Sequence, residues 1–400
     1  REYKKERATV HLKELVGGAL SFYAAAAVAK TGGVHIFVAE DRDAAAYLLN
    51  DFYNLLDEKQ VYFFPSSYKR SAAYGAEDAQ GVVQRTAAMN AVRGFTKGYL
   101  VVCTYPEALA ERVVDAATLQ RDTIAVKLGD KISIAVLEDA LADANFTRVD
   151  FVYEPGQYSV RGGIVDVFSY SESKPYRIDF FGDEVDSIRR FNISSQLSAD
   201  KLDRVEIIPN LNAGEAPRVS FVQFAGSSAA CWFYDADYVL RRVNDLRRKV
   251  LADMENPGQI DRLLTSRNVL LRDMAGNSVV ALRDNLPERP ATAAVVFDTA
   301  PQPKFNKNFE MLADDMIRNS LRGYATYILS ENKVQVERLE NIFHQIGRGQ
   351  AAVRSLSVTL HEGFVDNDLK LCLYTDHQIF DRYQRYRING EIRRDEQMTV

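Results

Sequence analysis

The clearest alternation of hydrophobic and polar positions runs from residue 150 to 192, in the sequence DFVYEPGQYSVRGGIVDVFSYSESKPYRIDFFGDEVDSIRRFN. The pattern predicts strands over 164–168, 176–181 and 184–191, because side chains alternate along a strand with a period of two. Gly182 and Asp183 form a two-residue turn of the kind that hairpins prefer. This part of the chain is therefore predicted to be an antiparallel sheet.

The predicted strand 176–181 has two faces of different character. The core face consists of Tyr176, Ile178 and Phe180, and the outer face consists of Arg177, Asp179 and Phe181. An exposed aromatic ring beside arginines is typical of a binding site, and Arg161 reaches the same side if the sheet curls. The alternative is that Phe181 packs under a neighbouring element and that Arg177 pairs with Asp179 or Asp183. On the binding hypothesis, neither Arg177 nor Phe181 contributes to the core.

The string EPGQYSVRGGIVDVF…PYRIDFFGDEVDSIRRF resembles the UvrB-homology region of the bacterial transcription-repair coupling factors (Mfd). In that family this region docks the repair protein UvrA, so the resemblance implies UvrA as the partner of this chain. Matched position by position, it assigns the UvrA contacts to Arg161, Arg177 and Phe181. It further implies that the chain recruits nucleotide excision repair to stalled transcription. RNA polymerase and DNA would then be contacted only through modules of a longer parent protein, an ATP-dependent DNA translocase.

Residues 1–112 alternate predicted helices with short apolar strands. Helices are predicted over 9–30, after a cap at Asp41, and over 79–94, and strands over 34–39, 61–64 and 99–104. Such alternation is typical of a parallel sheet covered on both faces. It resembles the first half of a helicase-type nucleotide-binding fold.

The pattern changes near residue 113 and changes back near 207. The predicted fold class is therefore α/β, a degenerate helicase-like nucleotide-binding fold interrupted by an inserted α+β module and followed by a small α/β domain. The module contains an antiparallel sheet and one helix over 134–144. The predicted divisions are 1–112 and 207–302 for the interrupted fold, 113–206 for the insertion and 303–400 for the small domain. Pro301 and Pro303 indicate a linker between the last two.

Composition and charge restrict the possible partners. The chain has 400 residues and a net charge of -5, so no overall basic charge attracts it to nucleic acid. Cys103, Cys231 and Cys372 are far apart and lack CxxC spacing, which predicts buried thiols in a reducing cytoplasm rather than a zinc site or disulfides. No segment is predicted to span a membrane. We expect a monomer. We also expect that the chain is part of a longer protein, because it starts at Arg1 without a methionine.

Catalytic, cofactor and metal sites are not predicted. The phosphate loop G-x-x-x-x-G-K-[ST] should precede the first helix, where this chain has the sequence LVGGALSF and no lysine. The tyrosine-rich hairpin with which UvrB probes damaged DNA is reduced to a short stretch containing Tyr68 and Tyr74. Both features disfavour the alternative function, a UvrB-like damage-loading ATPase, and predict a chain that hydrolyses no nucleotide.

Overall fold

The computed structural model describes residues 8–68, 77–212, 215–254, 256–282 and 289–388. Its first segment alternates strands with helices. The strands are β1 (Thr9–Lys13), β2 (Gly33–Val38), β3 (Val61–Phe63), β4 (Tyr99–Thr104) and β5 (Val113–Val114). The helices are α1 (Ala19–Thr31), α2 (Arg42–Leu55), α3 (Ala79–Gly94), α4 (Pro106–Ala110) and α5 (Ala116–Asp122).

The second segment, residues 124–207, is rich in strands, and we name it the inserted module. Its elements are β6 (Ile124–Lys127), α6 (Ile134–Asp143), β7 (Thr147–Arg148), β8 (Gln157–Arg161), β9 (Ile164–Val167), β10 (Tyr176–Phe181), β11 (Glu184–Phe191), β12 (Ser198–Leu202) and β13 (Arg204–Ile207). The predicted hairpin strands 176–181 and 184–191 are confirmed to the residue.

The third segment returns to alternating helices and strands. Its elements are β14 (Arg218–Val219), α7 (Phe221–Ala225), β15 (Ala230–Phe233), α8 (Ala236–Asp253), α9 (Ile260–Leu263), α10 (Arg267–Asp273), β16 (Ser278–Ala281) and β17 (Ala293–Val296). Single turns of 3-10 helix lie at Glu58–Gln60, Pro257–Gln259 and Met274–Gly276.

The last segment, residues 299–379, forms a separate sheet with its own helices, and we name it the small α/β unit. Its elements are β18 (Thr299–Pro301), α11 (Phe309–Leu321), β19 (Ala325–Leu329), α12 (Lys333–Gln345), β20 (Ser355–Leu356), β21 (Phe364–Asp366), β22 (Leu371–Thr375) and α13 (Asp376–Ile379). The sheet order is β18-β21-β22-β19-β20.

One seven-stranded sheet unites the first and third segments into what we name the parallel-sheet unit, residues 9–122 and 218–296. Its order is β17-β1-β16-β15-β2-β4-β3, and each of its pairings is parallel. Central residues such as Ile36 and Val101 are buried because helices cover both faces of the sheet. In sheets of this type, ligands bind beyond the carboxyl ends of the strands.

The first helix is shorter than predicted. A helix was expected over 9–30, but Thr9–Lys13 is strand β1, which pairs with β16 and β17, and α1 begins only at Ala19. The β-branched residues Thr9 and Val10 favour a strand, and in this position they pack inside the parallel sheet. The error arose because a short apolar strand followed by an alanine-rich helix reads as one apolar run.

The inserted module has its own core. Its main sheet has the order β12-β11-β10-β9-β8-β7, antiparallel except between β7 and β8, and β13 pairs with β6. Leu137 and Leu141 of α6 pack in one cluster with Val165, Tyr176 and Ile178. The predicted fold class, a helicase-like α/β region with an inserted sheet-and-helix module, is confirmed.

The predicted linker at Pro301 and Pro303 is wrong. Thr299–Pro301 is the edge strand β18, which pairs antiparallel with β21, and Gln302 is buried. The Gln302 Oε1 accepts a hydrogen bond of 2.7 Å from the Thr375 backbone N–H. Proline is compatible with this position because an edge strand leaves some backbone N–H groups unpaired.

The division into 1–112, 113–206, 207–302 and 303–400 stays a prediction. Strand pairing adds one detail, because β5 pairs with β14 and Val113, Val114 and Leu119 pack in the core of the parallel-sheet unit. The elements of the inserted module itself therefore start at β6. Among the described helices, none is both long and apolar enough to cross a membrane.

We predict that Tyr176→Ala destabilises the inserted module by about 3 kcal/mol, because the ring is buried in its core and truncation leaves a cavity. Leu197→Ala in the same module is the matched control, since that leucine is exposed. Chemical denaturation followed by circular dichroism measures both. Equal midpoints for the two variants would show that Tyr176 does not support the core.

Candidate protein-docking face

The register of the sheet places one carboxylate directly beside Arg177. Asp166 on β9 is the cross-strand partner of Arg177 on β10, so both side chains lie on the outer face. The Arg177 Nε donates to Asp166 Oδ1 at 2.7 Å, and Nη2 donates to Oδ2 at 2.8 Å. This bidentate geometry raises the pKa of Arg177 further above its ordinary value, mainly through the hydrogen bonds to Asp166. The guanidinium is therefore fixed and charged.

Arg161 reaches the same carboxylate from β8. Its Nη2 donates to Asp166 Oδ2 at 2.6 Å, and its guanidinium lies 4.9 Å from the centroid of the Phe151 ring. The Asp166 side chain is only 2 % exposed, whereas that of Arg161 is 37 % exposed. The buried Asp166 carboxylate thus orients two arginines, and the side chain of Arg161 is the more exposed of the two.

Phe181 projects from the end of β10 and is 84 % exposed. It precedes Gly182, whose φ of 63° lies in the left-handed region that glycine adopts readily. A β-bulge on β11 shifts the register between Asp179 and Phe180, and bulges re-aim the side chains near them. Packing of Phe181 under a neighbouring element, the alternative considered from the sequence, is excluded.

The second part of that alternative, a pairing of Arg177 with Asp179 or Asp183, is wrong. Asp179 accepts hydrogen bonds from Ser187 and Arg189, and the carboxylate that Arg177 contacts is Asp166 rather than Asp179 or Asp183. The Arg177 side chain is only 15 % exposed, and its guanidinium lies 4.3 Å from the centroid of the buried Phe191 ring. Arg177 is thus largely buried and holds part of the sheet together, although the binding hypothesis placed it outside the core.

Two residues of this face were missed in the sequence. In the sequence, Asp166 looks like an ordinary outward-facing polar residue of an alternating strand. Its contact with Arg177 depends on the pairing of β9 with β10. Phe151 is about half exposed and contacts Arg161 through its ring. A signal for Phe151 was present, because the segment around Phe151 and Tyr153 carries aromatic residues among acidic ones without a core periodicity.

The vestigial phosphate loop, residues 14–18, joins β1 to α1 at the place where a nucleotide-binding fold carries its phosphate loop. Gly18 is the N-cap of α1, and Ala19 follows it where the motif requires lysine. A cavity of about 250 Å³ adjoins this loop at the carboxyl ends of β2 and β15. Its lining includes Glu40, Asp51 and Glu362 but, among the described residues, neither lysine nor arginine.

Asp51 is the most perturbed acid near this cavity. Burial raises its pKa to about 7, although hydrogen bonds from Ser21 Oγ and the His361 backbone N–H, both 2.6 Å long, oppose the shift. The carboxylate of Glu362 adds to the increase in pKa. The sequence analysis did not identify Asp51. The only sign of it in the sequence is that an acidic residue lies among the apolar residues of α2.

A buried histidine and the arginines of α8 have structural roles. His35 is buried, with Nε2 3.0 Å from Gly32 O and Nδ1 accepting from Trp232 Nε1, and burial lowers its pKa to about 4. The arginines of α8 pair with carboxylates, for example Arg242 with Glu107 at 2.6 Å. Among the described residues no cluster of metal ligands occurs. Tyr74, part of the shortened hairpin, lies outside the described residues.

Residues 124–212 match the family model described as the UvrB interaction domain. The match covers the inserted module, including the outer face that carries Arg161, Arg177 and Phe181.

The chain is also similar to curated proteins named transcription-repair-coupling factor. It is 27% identical to those of Bacillus subtilis and Escherichia coli over 199 residues, which are 50% of this chain and 17% of each relative. It is 35% identical to that of Haemophilus influenzae over 101 residues, 25% of this chain and 9% of the relative. The resemblance to the N-terminal region of these factors is thereby confirmed, and the matched segment spans less than a fifth of their length.

We predict that Asp51→Asn stabilises the chain increasingly as the pH rises. Because the folded-state pKa of Asp51 exceeds its ordinary value, the folded chain holds a proton that the unfolded chain releases between pH 3.8 and about 7. The free energy of unfolding of the wild type therefore falls across that pH window. Relative to a variant that stays neutral, the loss is on the order of a few kcal/mol. Asparagine can still accept from the His361 backbone N–H.

Thermal melts of both proteins from pH 4 to pH 8 measure this effect. We expect nearly equal melting temperatures at pH 4 and a higher one for Asp51→Asn at pH 8. A difference that is independent of pH would contradict a raised pKa at Asp51.

Proposed function

We propose that this chain docks UvrA through the outer face of the inserted module and so recruits nucleotide excision repair to stalled transcription, without hydrolysing nucleotide itself. The observation that carries the proposal is the exposure of Phe181 on the same outer face as the two arginines that Asp166 holds in place. These residues lie within the segment that matches the UvrB interaction domain. The similarity to transcription-repair-coupling factors supports the link to transcription.

The composition of the face indicates the chemistry of the partner surface. An exposed phenylalanine gains most when it enters an apolar pocket, and arginine and aromatic residues are enriched among binding hot spots. Arg161 keeps more than a third of its side chain exposed although it already contacts Asp166, so its guanidinium can donate to a second carboxylate. We therefore expect an apolar pocket with acidic residues at its edge on UvrA.

Fixed side chains make such a face effective. Arg177 contacts Asp166 through two hydrogen bonds and Gln196 Oε1 through a third of 3.1 Å. A side chain that is already held in position loses little conformational entropy on binding. The role of Arg177 is thus to shape the face and supply charge, while Phe181 supplies the buried area.

The cavity beside the vestigial phosphate loop supports the absence of hydrolysis. Phosphoryl transfer requires positive charge at the β- and γ-phosphates, which the loop lysine and magnesium normally supply. In this chain Ala19 follows Gly18, and the acids near the cavity would repel a triphosphate. The alternative function, a UvrB-like damage-loading ATPase, gains no support from this geometry.

We predict that Phe181→Ala weakens UvrA binding at least thirtyfold, because truncation of a hot-spot ring costs about 2 kcal/mol or more. Its melting temperature should stay that of the parent, since the ring is exposed. Isothermal titration calorimetry with purified UvrA measures the affinity. Leu197→Ala, which removes another exposed apolar side chain of the module, should bind as the parent does.

Arg161→Ala should also weaken UvrA binding with little loss of stability, whereas Arg177→Ala should lower both affinity and melting temperature. The difference follows from the smaller exposure of Arg177 and from its bidentate contact to buried Asp166. Unchanged affinity in Phe181→Ala and Arg161→Ala together would overturn the docking proposal.

We further predict that the purified chain releases no phosphate from magnesium ATP, with or without DNA. A colorimetric phosphate assay measures release in fractions across a gel-filtration peak. DNA-stimulated release that coincides with the protein peak through repeated purification would restore the ATPase alternative.

A further inference from the structure

The small α/β unit contacts the parallel-sheet unit at the vestigial phosphate loop. A Cβ atom added to Gly18 would lie 2.2 Å from Glu362 O, and one added to Gly17 would lie 2.8 Å from Gly363 O. Real Cβ atoms essentially never approach a backbone oxygen so closely. We name residues 360–363 the plug segment. It lies so close to the loop that only glycine fits at positions 17 and 18 without a shift of the backbone.

Hydrogen bonds fix the same contact on both sides of the loop. The His361 backbone N–H donates to Asp51 Oδ1 at 2.6 Å, and the Tyr47 and His361 rings stack with centroids 3.6 Å apart. On the other side, Thr299 Oγ1 accepts from the Val16 backbone N–H at 3.1 Å and donates to Glu14 O at 2.6 Å. The backbone of the loop at Glu14 and Val16 is thus hydrogen-bonded to the small α/β unit.

An apolar cluster continues the contact along α1. Ala19, the first residue of that helix, is buried with Leu360 and Phe364, and the Phe22 ring lies 5.7 Å from the Phe364 ring. In a phosphate loop this position carries a lysine whose charge faces the β/γ-phosphates. A lysine at residue 19 would instead enter an apolar environment, which strongly disfavours its charge.

The charge of the plug segment suits the place that it occupies. The N-terminus of a helix carries a partial positive charge that favours anions. Glu362 Oε2 lies 3.5 Å from the position of a Cβ on Gly17, next to the N-terminus of α1. A carboxylate of the chain therefore lies where the fold would otherwise favour a phosphate.

From these contacts we propose that the vestigial phosphate loop is an internal docking site whose resident ligand is the plug segment of the small α/β unit. The loop glycines then serve close approach of one protein backbone to another instead of nucleotide binding. The proposal is independent of UvrA docking, which involves the inserted module. Its consequence is that the small α/β unit is held on the parallel-sheet unit without any nucleotide.

Gly18→Ala in the full chain tests the proposal selectively. Gly18 has φ of -67° and ψ of -5°, which alanine adopts without strain, so the added methyl group acts through its clash with the plug segment, at Glu362 O (2.2 Å) and Leu360 Cδ1 (3.1 Å). Gly94→Ala is the matched control, because a Cβ there meets nothing within 4 Å. Hydrogen–deuterium exchange with mass spectrometry measures the protection of each segment.

We expect Gly18→Ala to raise exchange at least tenfold in the plug segment and in residues 14–20, with β10 and β11 unchanged. Gly94→Ala should exchange like the parent in both regions. Parent-like protection of the plug segment in Gly18→Ala would overturn the proposal.

A second variant covers the case in which Gly18→Ala does not fold. Leu360→Ala shortens a buried side chain on the opposite side of the contact and should raise exchange in residues 14–20 in the same way. Parent-like exchange there would count against the proposal. Magnesium ATP added to the parent chain should change exchange in neither region. Protection of residues 14–20 with release of the plug segment would overturn the proposal, because the loop would then be a nucleotide site.

Discussion

Burial of Tyr176 and Ile178 against α6 is the constraint on which the outer face of the inserted module depends. Once these side chains point inward, the period of two sends Arg177 and Phe181 outward, and the pairing of β10 with β9 places Asp166 opposite Arg177. The buried Asp166 carboxylate then accepts hydrogen bonds from both Arg161 and Arg177 and so orients them. Core packing thus fixes the outer face that we propose as the UvrA-docking face before any partner arrives.

The parallel-sheet unit keeps the layout of a helicase-like fold while the sequence of its phosphate loop differs from the motif. The strand order, the loop after β1 and the helix N-terminus remain, but lysine is replaced by Ala19 and the neighbouring carboxyls oppose phosphate. Close contact between the loop glycines and the small α/β unit gives the retained geometry a different use. The fold by itself therefore does not establish an activity for this chain.

Local sequence signals predicted the hairpin of β10 and β11 to the residue, because alternation and a glycine turn act over a few positions. The same alternation placed Phe181 on the outer face but left open whether a neighbouring element covers it, and the structure shows that it is exposed. The partners of Arg177 and Asp51 could not be predicted, since Asp166 depends on strand register and His361 lies 310 positions from Asp51. Strand β1 was mistaken for helix because its burial depends on neighbours that come from the third segment.

The central claim is that UvrA contacts the tip of β10, and site-specific photo-cross-linking tests it most directly. A benzoylphenylalanine at position 181 of the full chain, mixed with UvrA and irradiated, should give a covalent adduct. The same group at position 197, an exposed site elsewhere in the module, should give none. An adduct at 197 but not at 181 would contradict the account.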